Sequence, residues 1–259
     1  LGGACDAVLQ AMRARAPVFL RVNEAKVGTA AARAVLAENG IATELTPIAK
    51  TALEVTENAR KVQTSRAYTE GLVELQDAAS QAVVLALPLQ DGMVVLDYCS
   101  GGGGKALAMA ARAKIKVFAH DAELRRMQDI APRAKRAGVS IAIADNPAKA
   151  APYDLILADA PCSGSGSWRR DPQGKWAIDP QRLQALQQLQ AQILNEAAAL
   201  LRLGGILAYA TCSMLTEENE AQVAGFLTGN PGWICTLQQR FSPLSGADGF
   251  FLALLTRES

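Results

Sequence analysis

From residue 92 onward, short apolar runs alternate with amphipathic stretches: MVVLDYC (93–99), KALAMAARA (105–113), IKVFAHD (115–121), AELRRMQDIAPRAKRAG (122–138), SIAIAD (140–145) and YDLILADA (153–160). This alternation predicts βαβ units around a parallel sheet buried on both faces. Residues 180–203 predict the clearest helix. Asp179 can cap it, Pro180 suits its first position, and Gly204 can end it. Leu183, Leu186, Leu189, Ile193, Leu194, Ala197, Leu200 and Leu201 form one apolar stripe. GILAYATC (205–212) then reads as a strand and EENEAQVAGFL (217–227) as a helix. WICTLQQ (233–239) and GFFLALLTR (249–257) read as a closing antiparallel pair.

The first part of the chain is patterned differently. A short helix over 1–16, a strand PVFLRVN (17–23), a helix TAAARAVLAENG (29–40) stopped by Asn-Gly, and short strands within 41–56 predict a small α+β module. We place its boundary at 1–67, with an α/β domain over 68–259. YTEGLVELQDAASQAVVLAL (68–87) is read as a strand or turn followed by a helix.

The chain has 259 residues, half of them hydrophobic, which suits one large domain with a small appendage. Net charge is +1, so only local charge can point to a polyanionic partner. Five cysteines without a CxxC pair, and the lone His120, argue against a zinc site. They fit reduced thiols in a cytoplasmic protein. No apolar run reaches about 18 residues, so no membrane span is expected. No signal peptide is evident at the start. The first residue is not Met, so further sequence upstream is expected.

Candidate chemistry begins with the glycine cluster in VVLDYCSGGGGKALAMAA, between a strand and a helix. A Walker loop is excluded, because Cys99 stands where its first glycine belongs and Ala106 where its Ser/Thr belongs. Gly101, Gly103 and Ala106 satisfy GxGxxA with Asp121 about 20 residues on, which keeps an NAD(P)-dependent oxidoreductase open. A third reading is S-adenosylmethionine (SAM). Asp97, just ahead of the loop, would repel a pyrophosphate but suits the SAM ammonium group. A tight turn without any ligand is the plainest alternative.

Asp97, Asp121, Asp145 and Asp159 each follow an apolar run. Strand ends in an open parallel sheet line the ligand crevice, so four carboxylates in succession predict a shared site. Cys162, in DAPCSGSGSWRRDPQGKW, and Cys212, in LAYATCSM, both sit in polar turns just past strands. We take these two as functional thiols, and Cys5, Cys99 and Cys235 as small buried hydrophobes. A thiolate beside a methyl donor suits the C5-methylation of cytosine. Addition of sulfur to C6 makes C5 nucleophilic, and elimination then releases the sulfur.

DYCSGGGGK, DAPCSGSGSWRRDPQGKW, YATCS followed by EENE, and DGFFLALL together resemble the RNA 5-methylcytosine methyltransferases of the Nol/Nop/Sun family, in particular their bacterial ribosomal RNA branch. LRVNEAK (20–26) and YTEGLVELQDAASQ (68–81) resemble the segments ahead of that family's catalytic domain. The resemblance implies a Rossmann-like class I SAM-dependent methyltransferase domain: a mostly parallel seven-stranded sheet with an antiparallel closing strand. It implies that Cys212 attacks C6, that Cys162 assists release, and that Asp159 binds the cytosine Watson–Crick edge. Asp121 would hold the SAM ribose and Asp145 the adenine side. Cys99, Ser100, Gly101, Gly102, Gly103, Gly104 and Lys105 would cradle the methionine part, with Lys105 at the active-site edge. One departure stands out: Gly101-Gly102-Gly103-Gly104-Lys105-Ala106 replaces the family's usual Ala-Pro-Gly-Gly-Lys-Thr.

Local charge adds an expected RNA surface. Arg169, Arg170, Lys175 and Trp176 neighbour Cys162 in the chain, Arg21 lies in the first module, and eight Lys/Arg fall between 112 and 136. Ribosomal RNA is the expected partner and transfer RNA the alternative; a monomer without metal is expected. A relative that binds RNA without catalysis also stays open.

Overall fold

The computed structural model describes residues 2–257, and its architecture is two sheets. In the N-terminal module, α1 (Cys5–Ala11) precedes β1 (Val18–Val22), α2 (Thr29–Glu38), β2 (Thr43–Leu45) and β3 (Ala52–Val55). A one-turn helix α3 (Arg66–Thr69) leads to β4 (Val73–Leu75), which pairs antiparallel with β1. The first sheet therefore has the order β2-β3-β1-β4 and takes its edge strand from the segment after residue 67. Leu20, Val22, Leu36, Ile41, Leu53 and Val73 form its core.

The second sheet follows α4 (Ala78–Leu85). Its elements are β5 (Val94–Asp97), α5 (Gly104–Arg112), β6 (Lys116–Ala119), α6 (Ile130–Ala137), β7 (Ile141–Ile143), β8 (Tyr153–Asp159), α7 (Pro180–Ala198), β9 (Leu201–Thr211), α8 (Glu220–Gly229), β10 (Trp233–Phe241) and β11 (Phe250–Arg257). Their order is β10-β11-β9-β8-β5-β6-β7. The pairs from β7 to β9 are parallel, and β11 alone is reversed. The sheet is buried on both faces. Leu155, Leu157 and Leu252 pack on one face, and Leu96, Ile156 and Phe251 on the other. That double burial explains the near-continuous apolar runs in the sequence.

The predicted 180–203 helix ends at Ala198. Leu200 and Leu201 lie beyond it, with Leu201 opening β9 opposite Tyr153, and Leu189 is exposed. Gly204 does not end the helix. It lies within β9 with φ +68°, where the β8–β9 register shifts between Tyr153 and Leu155. Strand pairing overrides the helical spacing here, because Leu201 is held opposite Tyr153 of β8. No helix among the described residues is long and apolar enough to cross a membrane.

Candidate active site

Parallel pairing gives the four carboxylates a common edge. β8, β5, β6 and β7 are neighbours in that order, so Asp159, Asp97, Asp121 and Asp145 stand at successive strand ends. β9 lies beside β8 and delivers Cys212 to the same edge, just after Thr211. Reversal of β11 brings its first residue, Phe250, there too.

Cys162 and Cys212 converge, with their Sγ atoms 3.4 Å apart. The Cys162 turn crosses the chain near Gly249 so closely that a Cβ at Gly166 would stand 2.1 Å from the Gly249 oxygen. The Gly166 amide donates to the Cys212 carbonyl at 2.9 Å, and the Gly249 amide to the Gly166 carbonyl at 2.8 Å. Sharing of the Cys162 S–H with the Cys212 sulfur lowers the Cys212 thiol below its ordinary value. Lys105 and Ser167 help, against burial and the Asp159 charge. That pairing, with burial, pushes the Cys162 thiol well up. On these directions Cys212 is the more acidic of the two thiols, and either sulfur can donate across the 3.4 Å contact.

Lys105, in the first turn of α5, reaches the Asp159 carboxylate at 2.5 Å and stands 5.0 Å from the Phe250 ring centroid. Burial would lower its ammonium, but the Asp159 charge and hydrogen bond, with Asp97, raise it on balance. Asp97 is fully buried, and burial, then the Asp159 charge, lifts its carboxyl to about 7. Ser100 donates to one Asp97 oxygen at 3.2 Å, while Oδ1 has no hydrogen-bond partner among the described residues. Burial, followed by the Asp97, Asp159 and Asp121 charges, pushes the Cys99 thiol up, so it stays protonated.

The glycine loop turns sharply into α5. Gly103 has φ +77°, and a Cβ there would stand 2.7 Å from the Ile130 side chain, so the position is restricted to glycine. The Gly101 amide donates to Asp121 at 2.9 Å, and Arg126 pairs with Asp121 at 3.2 Å. Arg133 donates to the Gly102 carbonyl. These side chains brace a loop that lacks the proline expected from the resemblance.

Two cavities meet at this edge. One, of about 300 Å³, is lined by Cys99, Ser100, Gly101, Gly102, Arg126 and Asp159, together with both thiols and Phe250. The other, of about 490 Å³, lies between the two sheets and is lined by Phe19, Gln76, Asp77, Arg170 and Asp248 among others. Cys212 and Phe250 line both. The first cavity fits SAM by the chemistry of its surroundings. A glycine turn allows close backbone approach; Asp97 and Asp121, whose chemistry suits an ammonium group and ribose hydroxyls, lie buried just behind the lining, Asp121 against Gly101 and Arg126. Its volume falls at the lower end of small-molecule sites, which start at about 300 Å³. Asp145 stands exposed past the end of β7, outside the residues lining that cavity.

The expected RNA surface divides. Trp176 is 82% exposed, and the Lys175 ammonium sits 4.9 Å from its ring centroid. Arg170 is partly exposed and lines the second cavity, where it pairs with Asp248 at 2.5 Å and Asp77 at 2.9 Å. Arg169 and Arg21 are corrections, because neither side chain is presented to solvent. Arg169 is buried against Asp248 at 2.9 Å. Arg21 donates to the Gly104 carbonyl at 2.7 Å, and burial lowers its guanidinium to about 10. In the 112–136 cluster, Arg112 holds the Val84 and Leu87 carbonyls, and Arg133 and Arg136 pair with Glu74. Sequence reasoning missed Glu218, Asp77 and Asp248 as site-building carboxylates. EENE, YTEGLVELQDAASQ and DGFFLALL contain them, but the resemblance assigned none of the three a role.

The β7-β6-β5-β8-β9-β11-β10 sheet, with a glycine loop after β5 and carboxylates at the strand ends, has the class I methyltransferase architecture. The match over residues 84–256 to the model described as 16S rRNA methyltransferase RsmB/F narrows this: the chain belongs to that SAM-dependent methyltransferase family. Residues 1–63 match the ferredoxin-like domain found in RsmF/B-like methyltransferases. Ribosomal RNA small subunit methyltransferase B of Xanthomonas campestris is 33% identical over 100% of this chain and 64% of its own length. That of Pasteurella multocida is 34% identical over 96% of this chain and 61% of its length. The chain therefore spans less than two-thirds of these relatives. Among solved structures, PH0851 superposes with a TM-score of 0.92 at 28% identity, over 99% of this chain and 63% of that one. A methyltransferase homologue from Pyrococcus horikoshii shares the fold, with a TM-score of 0.85 at 24% identity over 100% of this chain and 92% of that one.

Proposed function

We propose that this chain methylates C5 of a cytosine in RNA, with ribosomal RNA as the substrate class, through a covalent bond between Cys212 and C6. The observation that carries the reading is the place of Cys212: it lines both cavities, with the Cys162 sulfur 3.4 Å away. The names of the relatives, all ribosomal RNA methyltransferases, support the RNA class.

When bound, SAM supplies an electrophilic methyl group. Asp97 and Asp121, with the 99–105 loop, would hold it on the smaller side. Cys212, held as thiolate by the Cys162 S–H and the Lys105 charge, adds to C6 of the target ring. The C5–C6 π electrons move toward C5 and the ring nitrogen, and Asp159 at the Watson–Crick edge orients the base. Lys105 keeps Asp159 in place. After C5 is methylated, a base removes the C5 proton, the double bond re-forms and the Cys212 sulfur leaves. Cys162, the nearest thiol, assists that release. Trp176 and Lys175 offer an exposed ring and charge to unpaired nucleotides, and Arg170 lines the larger cavity.

The test is incubation with ribosomal RNA and methyl-labelled SAM, followed by digestion to nucleosides. Labelled 5-methylcytidine is expected. Label on any other nucleoside, or none from protein that binds SAM, contradicts the reading.

A further inference from the structure

Glu218 is fully buried in the turn Thr216–Glu218 between β9 and α8, and it lines neither cavity. Its carboxylate nevertheless accepts four hydrogen bonds. The Ser163 amide, at 2.8 Å, and the Gln190 side chain, at 3.0 Å, donate to Oε1. The Ser163 hydroxyl, at 2.6 Å, and the Ser213 hydroxyl, at 2.5 Å, donate to Oε2. Ser163 directly follows Cys162, and Ser213 directly follows Cys212. One carboxylate group therefore ties the residue after each sulfur to itself.

The clamp is anchored in its turn. The Tyr209 hydroxyl donates to the Glu218 carbonyl at 2.6 Å. Asn219 accepts from the Thr211 hydroxyl at 2.6 Å and donates to the Ser213 carbonyl at 2.9 Å. Burying a carboxylate is unfavourable unless its oxygens are fully partnered, and a turn could be closed by neutral groups alone. The charge calls for a role that neutral groups would not fill.

We propose that Glu218 is a positioning residue for the thiol pair: it fixes the Cys162 and Cys212 turns to one another and, by its charge, keeps their shared proton on the Cys162 side. Glu218 takes two bonds from Ser163, amide and hydroxyl, and one from Ser213, so its charge is held more firmly against the Cys162 turn and opposes a second negative charge there. The ionisable sulfur is then Cys212, which faces both cavities. Assigning Cys212 as nucleophile rests on the proposed methylation; the sulfur asymmetry itself does not, and is measured without RNA.

The test variant is Glu218→Gln. An amide nitrogen in place of Oε2 meets two serine hydroxyls, which can turn to accept, so the shape is kept while the charge is lost. Iodoacetamide labelling is followed against pH by mass spectrometry, with SAM affinity reporting an intact fold. The wild type should label at Cys212 first. In the variant, SAM affinity should hold, while the Cys162 share of early label rises about tenfold, as for one unit of relative acidity. Turnover on RNA should fall by a similar factor. A variant that binds SAM normally and keeps the wild-type labelling ratio and pH profile overturns the proposal.

If Glu218→Gln fails to bind SAM, the double variant Ser163→Ala/Ser213→Ala carries the test, since it removes both hydroxyl bonds and keeps the charge. Its Cys212 labelling midpoint should rise toward that of a free thiol. A wild-type midpoint sinks the clamp. A changed labelling ratio together with full methylation by Cys212→Ala would support the clamp and defeat the functional reading instead.

Discussion

The two cavities that meet at Cys212 are built in different ways. The smaller is made by strand ends and connecting loops of one sheet: the 99–102 loop after β5, Arg126 after β6, and Asp159 to Cys162 after β8. The larger needs both sheets. Phe19 of β1 and Gln76 and Asp77 after β4 face Arg170 and Asp248 from far along the chain. It is held by a chain of charges, Asp77–Arg170–Asp248–Arg169, most of it buried. The larger sheet alone positions the first cavity, whereas the second depends on residues brought together from both sheets.

Breaking the charge chain separates the two most strongly. Asp248→Ala leaves the Arg169 guanidinium buried without its carboxylate. Removing one partner of a buried pair costs about 3–5 kcal/mol, so urea unfolding should show a loss of that order. Affinity for SAM, measured where the variant is folded, should change little, because Asp248 does not line the smaller cavity. Unchanged stability, or a loss confined to SAM binding, would contradict this division.

A smaller effect tests the first cavity. Asp97 has a folded value of about 7 against an ordinary 3.8. Between those values the folded protein holds a proton that the unfolded chain has released, so this group lowers stability as pH rises through the window. Asp97→Asn removes the titration. Its stability relative to wild type should therefore increase from pH 5 to pH 7 and level off above, in melts at each pH, while SAM affinity falls. A difference independent of pH would show that the Asp97 environment is wrong.

The same contrast explains what could be read from the sequence. Alternating apolar runs and terminal aspartates were legible because each strand end is a local feature, and the sheet collects such ends at one edge. Cys162 and Cys212 were legible for that reason, although the 3.4 Å between their sulfurs is a product of packing. Arg169 and Arg21 were misread because charge in a sequence does not reveal a buried partner; Asp248 is 79 residues from Arg169. Helix α7 was read too long because the leucine spacing continues past Ala198, where pairing of Leu201 with β8 takes over. Glu218 escaped notice as a clamp because four donors from three segments converge on it only in the folded chain.

The central claim is that the two sulfurs act in sequence on one base. Its most direct measurement is denaturing gel analysis of protein mixed with SAM and labelled RNA, comparing Cys162→Ala with Cys212→Ala. Cys162→Ala should accumulate a protein–RNA adduct that survives denaturation, and Cys212→Ala should form neither adduct nor methylated product. An adduct formed by Cys212→Ala would contradict the account.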